Sequence, residues 1–302
     1  MSQLVSIVEE TDVKRAQLMR PALTAVALAL TLTACGADPA ARNIADSHPL
    51  HRLLPEHIRQ SGKLKIGGST NVAPYLYRDG SEITGFEKEL MDALGEELGV
   101  EIEFYDAGFT ALVPGLQSGK LDVAMGDFTD TKERQRAVTF VDYTTSYQTL
   151  FVQKGNPKRL KTADDLCGTT AAATVGSLSG ELAAQQDTDC RKAGRSGVKL
   201  IEMDNAAATM MQVRTGRADS VVIDYVIGRH VAENSDAGDV AGSPFYEQFH
   251  GAAVRKDNAP LRKALAAAFE EIMRNGSYER ILKHWDMEQL AMDAPQVNAA
   301  TS

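Results

Sequence analysis

Acidic, hydroxyl and basic side chains crowd the end of an apolar stretch near the middle of the chain. The stretch "LDVAM" runs into "GDFTDTKERQ", so Asp127, Thr129 and Arg134 follow a predicted buried strand. A guanidinium group binds a carboxylate through two parallel hydrogen bonds, and a carboxylate binds an ammonium group. One fixed arginine opposite one fixed aspartate therefore suits a zwitterion, and an amino acid is the simplest one.

A second strand end repeats this pattern. The segments "LQSGKLDVAMGD" and "VRTGRADSVVID" both read as a helix, a glycine turn with Lys or Arg, and a buried strand ending in Asp. This places Asp127 and Asp224 at corresponding strand ends, while Ser177 and Ser179 follow a third strand. Because ligands bind beyond the carboxyl ends of the strands in open α/β sheets, we expect these groups to converge on a cleft.

Purely structural roles compete for the same residues. Arg134 in "TKERQR" could be one of several solvated helix charges, and Phe109 could belong to the core. Asp127, Asp224 and the two serines could cap the helices that follow them, which is the usual role of such residues after a strand. The local pattern leaves both interpretations open.

Helix and strand patterns alternate from Leu64 onward, which indicates an α/β fold with parallel strands. At 302 residues the chain is long enough for two domains, and "YQTLFVQKGNP" and "SPFYEQFHGAAVRKDN" read as crossings between them. We predict a tether and leading helix at 35–60, lobe 1 at 61–150 plus 245–290, lobe 2 at 151–244, and a disordered tail at 291–302. A formal net charge of −9 argues against nucleic acid as a partner.

The amino terminus indicates export. Basic residues precede an apolar run that is too short to span a bilayer, and the run ends in Leu32-Thr33-Ala34-Cys35. This resembles the lipobox of bacterial lipoproteins, in which residues 1–34 would be a cleaved signal peptide and Cys35 would be diacylated. A simple secretory signal with a chance cysteine is the alternative, and translation could start at Met1 or Met19.

Two cysteines remain, Cys167 and Cys190. In an exported protein a remaining pair is expected to form a disulfide, worth on the order of 3 kcal/mol for a loop of this length. Metal binding is the rival, but two cysteines without a neighbouring histidine make a poor site. We predict neither a metal nor a cofactor.

From about residue 62 to 287 the chain resembles the extracytoplasmic solute-binding proteins of amino-acid ABC importers. The matching stretches include "GKLKIGGSTNVAPYLY", "ITGFEKELMDALGEELG", "DLCGTTAAATVGS", "RTGRADSVVIDY" and the region around Arg134. The resemblance implies a type II periplasmic-binding-protein fold: two α/β lobes joined by two crossing segments, with the ligand cleft between them. It also implies a monomer, lipid-anchored to the outer face of the cytoplasmic membrane, that delivers an amino acid to an ABC permease.

The resemblance also assigns roles to residues. Arg134 would bind the ligand carboxylate, Asp224 the ammonium group, and Phe109 would stack on the side chain. Thr129 would donate a hydrogen bond, and the "VGSLS" loop would offer backbone amides. The full predicted ligand-binding set is Ser69, Tyr75, Phe109, Gly126, Asp127, Thr129, Arg134, Thr174, Ser177, Ser179 and Asp224. "DLCG" with a later cysteine resembles actinobacterial members in which the two cysteines are bonded.

Three departures from the family pattern affect ligand specificity. Val72 replaces a frequent aromatic residue, which Tyr75 or Tyr77 would have to substitute, and Gly176-Ser177-Leu178 replaces the usual glycine-threonine turn. Asp127 stands where a small neutral residue is common. It could meet a cationic ligand side chain, make a second contact to the ammonium group, or cap the "TKERQR" turn. The first option predicts a basic or polar amino acid.

Other functions use the same fold or the same class of residues. An exported enzyme resembling cyclohexadienyl dehydratases would need a carboxyl acid in the cleft, and Asp127 is the unusual candidate. A hydrolase is disfavoured because no Ser-His-Asp grouping is evident among six histidines. The input domain of a receptor kinase would need a transmembrane helix after residue 287, where the sequence reads on to "APQVNAATS". We therefore predict a binding protein rather than an enzyme.

Overall fold

The computed structural model describes residues 48–301. Its helices are α1 Glu56–Ser61, α2 Phe86–Leu98, α3 Leu112–Gln117, α4 Leu178–Lys192, α5 Ala206–Arg214, α6 Tyr225–Asn234, α7 Ala259–Arg274 and α8 Ser277–His284. Its strands are β1 Lys63–Gly68, β2 Asn71–Val72, β3 Leu76–Asp79, β4 Glu82–Thr84, β5 Glu101–Asp106, β6 Val123–Ala124, β7 Val138–Val152, β8 Thr170–Thr174, β9 Lys199–Met203, β10 Ser220–Asp224, β11 Asp239–Arg255 and β12 Ala291–Val297.

One mixed sheet runs through the described chain in the order β5-β1-β6-β11-β7-β10-β8-β9, with β12 added on β7. Strands β5, β1 and β6 are mutually parallel, and so are β10, β8 and β9. The two parallel sets flank the antiparallel pair β7 and β11. A small antiparallel sheet, β2-β3-β4, lies apart from the main sheet.

Strands β7 and β11 are long because together they connect the two parallel sets: β11 pairs with β6 of one set, and β7 pairs with β10 of the other. They contain 15 and 17 residues, and the predicted lobe boundaries at 150/151 and 244/245 fall inside them. The outer edge of β7 is paired with β12 up to Thr144 and with β10 from Gln148 onward. Residues 145–147 between these two stretches pair with β11 alone. The middle of the sheet is therefore a short two-stranded ribbon.

Helix α2 shows how the sequence builds the core around the site. Phe86, Leu90 and Leu94 form one fully buried stripe, and the helix ends at Gly99, which has a left-handed φ of 63°. Only glycine adopts this conformation without steric cost, so the position stops the helix. Glu87 also lies on the buried face, with no exposed surface. A carboxylate in such a place needs hydrogen-bond partners, which the site provides.

The predicted disulfide is confirmed. Cys167 and Cys190 are bonded, with their Cα atoms 5.6 Å apart. Cys190 lies in α4, and Cys167 precedes β8, so the bond ties this helix to the start of the neighbouring strand.

The predicted disordered tail at 291–302 is wrong for residues 291–297, which form β12 against β7. Met292 is 8% exposed and Ala300 is 7% exposed, so the segment is packed against the protein. The sequence "AMDAPQV" has no strong strand pattern, and its pairing with β7 supplies the order that local propensity lacks.

The predicted signal peptide at 1–34, the lipidated Cys35 and most of the tether lie outside the described residues. Within residues 48–301, none of the helices has the length and apolar character needed to cross a bilayer.

Candidate functional site

Arg134 lies in a short 3₁₀ turn, Arg134–Arg136, and is only 9% exposed. Its guanidinium carbon stands 5.0 Å from the ring centres of both Phe109 and Phe128, which contact each other edge-to-face, so cation–π contacts to both rings help to hold the group in place. Nη1 donates to the Thr129 carbonyl at 2.6 Å, and Nη2 donates to the Gly176 carbonyl at 2.8 Å. A guanidinium group has five N–H donors, so capacity remains for a carboxylate. The solvated-charge interpretation of Arg134 is wrong.

Asp127 follows β6 in a strained conformation. Its φ of 53° lies in the left-handed region, which aspartate tolerates better than most residues. Buried Glu87 fixes this turn, because its carboxylate accepts hydrogen bonds from the Gly126 amide and, at 2.9 Å, from the Asp127 amide. Burial raises the pKa of Glu87 to about 7. The Glu87 side chain of α2 therefore fixes the conformation of the turn at Gly126 and Asp127.

Asp127 does not cap the following turn. The 3₁₀ turn begins after Glu133 without a side-chain cap, and the Arg134 amide donates instead to Thr131 Oγ1 at 3.2 Å. The Asp127 carboxylate points to His250, with Oδ1 lying 3.3 Å from Nε2. The capping alternative for Asp127 is therefore excluded by its geometry.

Asp224 ends β10 and does cap a helix. Its Oδ1 accepts from the amides of Val226 at 2.8 Å and Ile227 at 3.3 Å, at the start of α6. The same carboxylate accepts from Tyr75 Oη at 3.3 Å and, through Oδ2, from Gln248 Nε2 at 2.6 Å. Burial raises its pKa to about 6, although these hydrogen bonds favour the ionised form. Capping and ligand binding are therefore compatible roles for this residue.

A directed chain of hydrogen bonds leads to Asp224. Ser179 Oγ donates to Gln148 Oε1 at 2.8 Å, and Gln148 Nε2 donates to Gln248 Oε1 at 2.7 Å. Gln248 then donates to Asp224, as described above. Gln148 lies on β7 and Gln248 on β11, so the chain connects the start of α4 with the end of β10 through both long strands.

His250 is fully buried beside these groups. The Gln248 amide nitrogen lies 3.1 Å from its Nε2, and since an amide nitrogen only donates, Nε2 is an acceptor and the ring is neutral. Burial lowers the His250 pKa to about 3, in agreement with a neutral ring. Burial, together with Asp224 and Glu87, raises the pKa of Asp127.

Asp127, Asp224 and His250 each offer one ligand atom, and these atoms lie within 4.8 Å of one another. This spacing fits a small cation as well as the N–H groups of an ammonium ion. The Asp224 oxygens already accept four protein donors, which leaves less room for metal coordination than for one more hydrogen bond.

A cavity opens beside this cluster. Eight of the eleven predicted ligand-binding residues line it: Ser69, Phe109, Asp127, Thr129, Thr174, Ser177, Ser179 and Asp224. Its wall also includes Asn71, Val72, Gln148, Leu178, Asn205, Ala206, Thr209, residues 221–223 and Ile227. Tyr75 is fully buried behind the wall and touches the site through Asp224. Gly126 contributes its amide to Glu87, and Arg134 lies against the ring of Phe109.

The remaining hydroxyl groups have structural partners. Ser177 caps α4 by accepting from the Gly180 amide at 3.1 Å, while its hydroxyl donates to the Thr174 carbonyl at 2.7 Å. Thr174 Oγ1 lies 3.1 Å from Thr209 Oγ1.

Val72 lines the cavity at the position of the missing aromatic residue. Tyr75 is buried behind the wall, and Tyr77 packs edge-on against Trp285 away from the cavity, so neither predicted tyrosine replaces the aromatic residue.

Sequence reasoning missed Glu87, Gln148, Gln248 and His250. Gln148, Gln248 and His250 had a weak signal, because each is a polar residue in a segment read as a crossing between the lobes. Polar groups at such positions must be paired, which marks them as members of a network. Glu87 had no signal, because the helical pattern places the Glu and Lys residues of its helix on the polar face.

The sequence between residues 64 and 288 matches the model of the bacterial extracellular solute-binding proteins, family 3. The chain belongs to this family. Relatives of this solute-binding protein include the arginine-binding protein ArgT of Corynebacterium glutamicum, 25% identical over 286 residues that cover 90% of this chain and 93% of ArgT. The L-cystine-binding protein TcyJ of Escherichia coli is 29% identical over 275 residues, covering 90% of this chain and 97% of TcyJ.

A solved structure of an ancestral amino acid-binding protein, a precursor of cyclohexadienyl dehydratase, superposes with a TM-score of 0.69. It is 29% identical and covers 76% of this chain and 98% of its own. The solute-binding protein therefore has the type II periplasmic-binding-protein fold that its sequence predicts, and the relatives named above are amino-acid-binding proteins.

Proposed function

We propose that this protein is an extracytoplasmic receptor for an amino acid with a basic or neutral polar side chain. The observation that carries the proposal is a cavity whose wall holds two adjacent carboxyl groups, Asp127 and Asp224, together with Phe109 and Thr129, the two wall residues that contact the buried Arg134. Arg134 would bind the ligand carboxylate and Asp224 its ammonium group. The side chain would lie along the wall that contains Phe109 and Val72.

The position of Asp127 supports one of the options that the sequence left open. Its ligand atom lies within 4.8 Å of the corresponding atom of Asp224, so both carboxyl groups can reach the same ammonium ion. This favours a second ammonium contact over a contact with the far end of the ligand side chain. Asp127 and Asp224 are the acidic residues of the described cavity wall, and this wall contains no basic side chain. An acidic ligand would add a further negative charge, which costs free energy in a poorly solvated site.

Competition binding among arginine, glutamine, leucine and glutamate tests this ligand class. We expect arginine and glutamine to bind best and glutamate worst. Asp127→Asn should weaken the binding of arginine, glutamine and leucine by similar factors, about tenfold for one lost charged hydrogen bond. The difference in affinity between these three ligands and glutamate should become smaller. The measurement is displacement calorimetry on the wild type and the variant.

The matched control is Asp204→Asn, which makes the same change in net charge at an exposed residue next to Asn205 of the cavity wall. Its ligand ranking should equal that of the wild type. Tightest binding of glutamate would contradict the ligand class. A loss confined to arginine in Asp127→Asn would instead place Asp127 at the ligand side chain.

We further propose that the protein is anchored through Cys35 and delivers its ligand to an ABC permease. The lipobox-like Leu32-Thr33-Ala34-Cys35 supports the anchor, and the family supports the permease. Cys35→Ala should release the protein from membranes or leave it unprocessed, as judged by fractionation and by the mass of the amino-terminal peptide. A double Cys167→Ala, Cys190→Ala variant keeps Cys35 and should stay with the membrane. Equal membrane retention of Cys35→Ala would refute the anchor.

Dehydratase activity is the second candidate function. It is favoured by one observation, the partly buried carboxyl group of Asp127 beside His250, whose raised pKa suits a general acid. The amino-acid clamp accounts for the same residues without catalysis, so we expect no turnover of prephenate. Turnover that disappears in Asp127→Asn would overturn the receptor assignment.

A further inference from the structure

The segment of residues 291–300, here named the carboxyl-terminal strap, runs antiparallel alongside β7 and then reaches the loop that carries Arg134. In β12, Gln296 and Val297 pair with Asp142 and Val141. Beyond the strand, the Asn298 backbone amide donates to the Phe140 carbonyl at 3.3 Å, and Asn298 Oδ1 accepts from the Phe140 amide at 2.9 Å. The strap thus follows β7 back toward its beginning, where the Arg134 turn ends.

The last contacts of the strap are made with that loop itself. The Ala300 amide donates to Asp130 Oδ2 at 3.0 Å. Gln135 Nε2 donates to both oxygens of Asp130 at 2.9 Å and to the Ala300 carbonyl at 3.3 Å. Asp130 is 2% exposed, so this small network is shielded from water. Hydrogen bonds to a buried carboxylate are among the stronger ones in proteins.

Asp130 lies between the two residues that hold Arg134. The Thr129 carbonyl accepts from the Arg134 guanidinium group, and Thr131 Oγ1 accepts from the Arg134 amide. The Asp130 amide also donates to the Phe249 carbonyl at 2.9 Å. Three consecutive residues are therefore fixed by Arg134 on one side and by the strap and β11 on the other.

The strap amides also satisfy buried carboxyl groups. Ala299 donates to Asp142 Oδ2 at 2.9 Å, and Asp142 has no exposed surface. Removing residues 298–302 would leave Asp130 and Asp142 without these donors in a buried environment. The loop would then be expected to shift so that water could reach them.

We propose that the strap is a positioning element for Arg134, through which residues outside the cavity set the affinity for the carboxylate of the ligand. This inference rests on the proposed function, because it assigns Arg134 to that carboxylate. The hydrogen bonds described for the strap go to β7, Tyr278, Asp130 and Gln135 and not to the cavity wall or the ammonium-binding carboxyl groups, so we expect its effect at the carboxylate end of the ligand.

The experiment compares the wild type with a chain ending at Val297 and with Gln135→Ala, which keeps the whole strap. Affinities for arginine and for argininamide, which lacks the carboxylate, are measured by calorimetry. Both variants should lose affinity for arginine by about tenfold, the effect of one charged hydrogen bond, while argininamide binding changes little. A chain ending at Thr301 keeps every strap contact and should match the wild type.

Hydrogen exchange gives a readout that needs no ligand. The amides of residues 128–136 should exchange faster in both variants than in the wild type, and those of α4 should not. An unchanged ratio of the two affinities, or unchanged exchange in this loop, would overturn the inference. If the wild type binds none of the amino acids, the proposed function fails, and the exchange data still decide whether the strap holds the loop.

Discussion

Replacement of Arg134 by alanine should remove measurable amino-acid binding while the protein stays folded. Truncating one partner of a buried, hydrogen-bonded charge pair costs roughly 2–5 kcal/mol, because the other charge is left unpaired. This corresponds to a loss of affinity of about thirtyfold or more. The side chain also packs against Phe109 and Phe128, so a modest decrease in melting temperature should accompany the loss. Calorimetry with the best ligand of the competition series is the measurement.

Two further variants make this prediction specific. Arg134→Lys keeps the charge but lacks the planar fork and the ring stacking, so it should recover only part of the affinity. Arg136→Ala removes an exposed arginine from the same 3₁₀ turn and should bind as the wild type does. Near-normal affinity of Arg134→Ala would return this residue to a purely structural role beside two aromatic rings.

The free energy of unfolding should decrease as the pH rises from about 4.5 to about 7.5. Burial raises the pKa of Glu87 from 4.5 to about 7, that of Asp142 from 3.8 to about 7, and that of Asp224 from 3.8 to about 6. In this window the folded protein holds protons that the unfolded chain releases, so rising pH favours unfolding. Glu87 alone accounts for about 3 kcal/mol, since one pKa unit corresponds to about 1.4 kcal/mol.

His250 acts in the opposite direction. Its pKa falls from 6.5 to about 3 on burial, so it destabilises the folded state as the pH drops below 6.5. The three carboxyl groups together contribute more to the pH dependence than the one histidine does, so the free energy of unfolding should decrease overall as the pH rises. Thermal unfolding without ligand, measured between about pH 5 and about pH 8, tests the sign.

Asp142→Asn should flatten this pH dependence, because the amide cannot ionise and its oxygen can still accept from Ala299. The exposed Asp79→Asn is the control and should leave the slope unchanged. A melting temperature that rises steadily across the same window would show that these carboxyl groups are not kept protonated by burial.

The sequence was most informative where chemistry and repetition coincide. Asp127 and Asp224 were predicted to converge because a helix, a glycine turn and a strand recur before each of them, and their ligand atoms do lie within 4.8 Å of each other. The repeat could not predict their different conformations. Asp224 caps a helix, whereas Asp127 takes a left-handed turn because Glu87 accepts the amides around it.

Contacts between distant segments escaped the sequence for a physical reason. Glu87 is separated from Asp127 by 40 residues, and Gln148 from Gln248 by 100 residues. Local patterns can mark a residue as polar within an apolar segment, but they carry no information about the distant residue with which it pairs. The prediction of a disordered tail was wrong for a similar reason, since β12 depends on an open edge of β7 that only the folded sheet provides.

The two-stranded ribbon at residues 145–147 has a mechanical consequence. On either side of it, β7 is held along both edges, by β12 or β10 as well as by β11. The bending stiffness of a sheet grows with the number of strands bonded side by side, and two-stranded ribbons twist most freely. Thermal flexing of the sheet should therefore concentrate in these few residues, while the stretches around them move as stiff plates. Gln248 pairs with Ser146 inside this ribbon, and Gln148 borders it, so the hydrogen-bond chain to Asp224 passes through the most flexible stretch of the sheet.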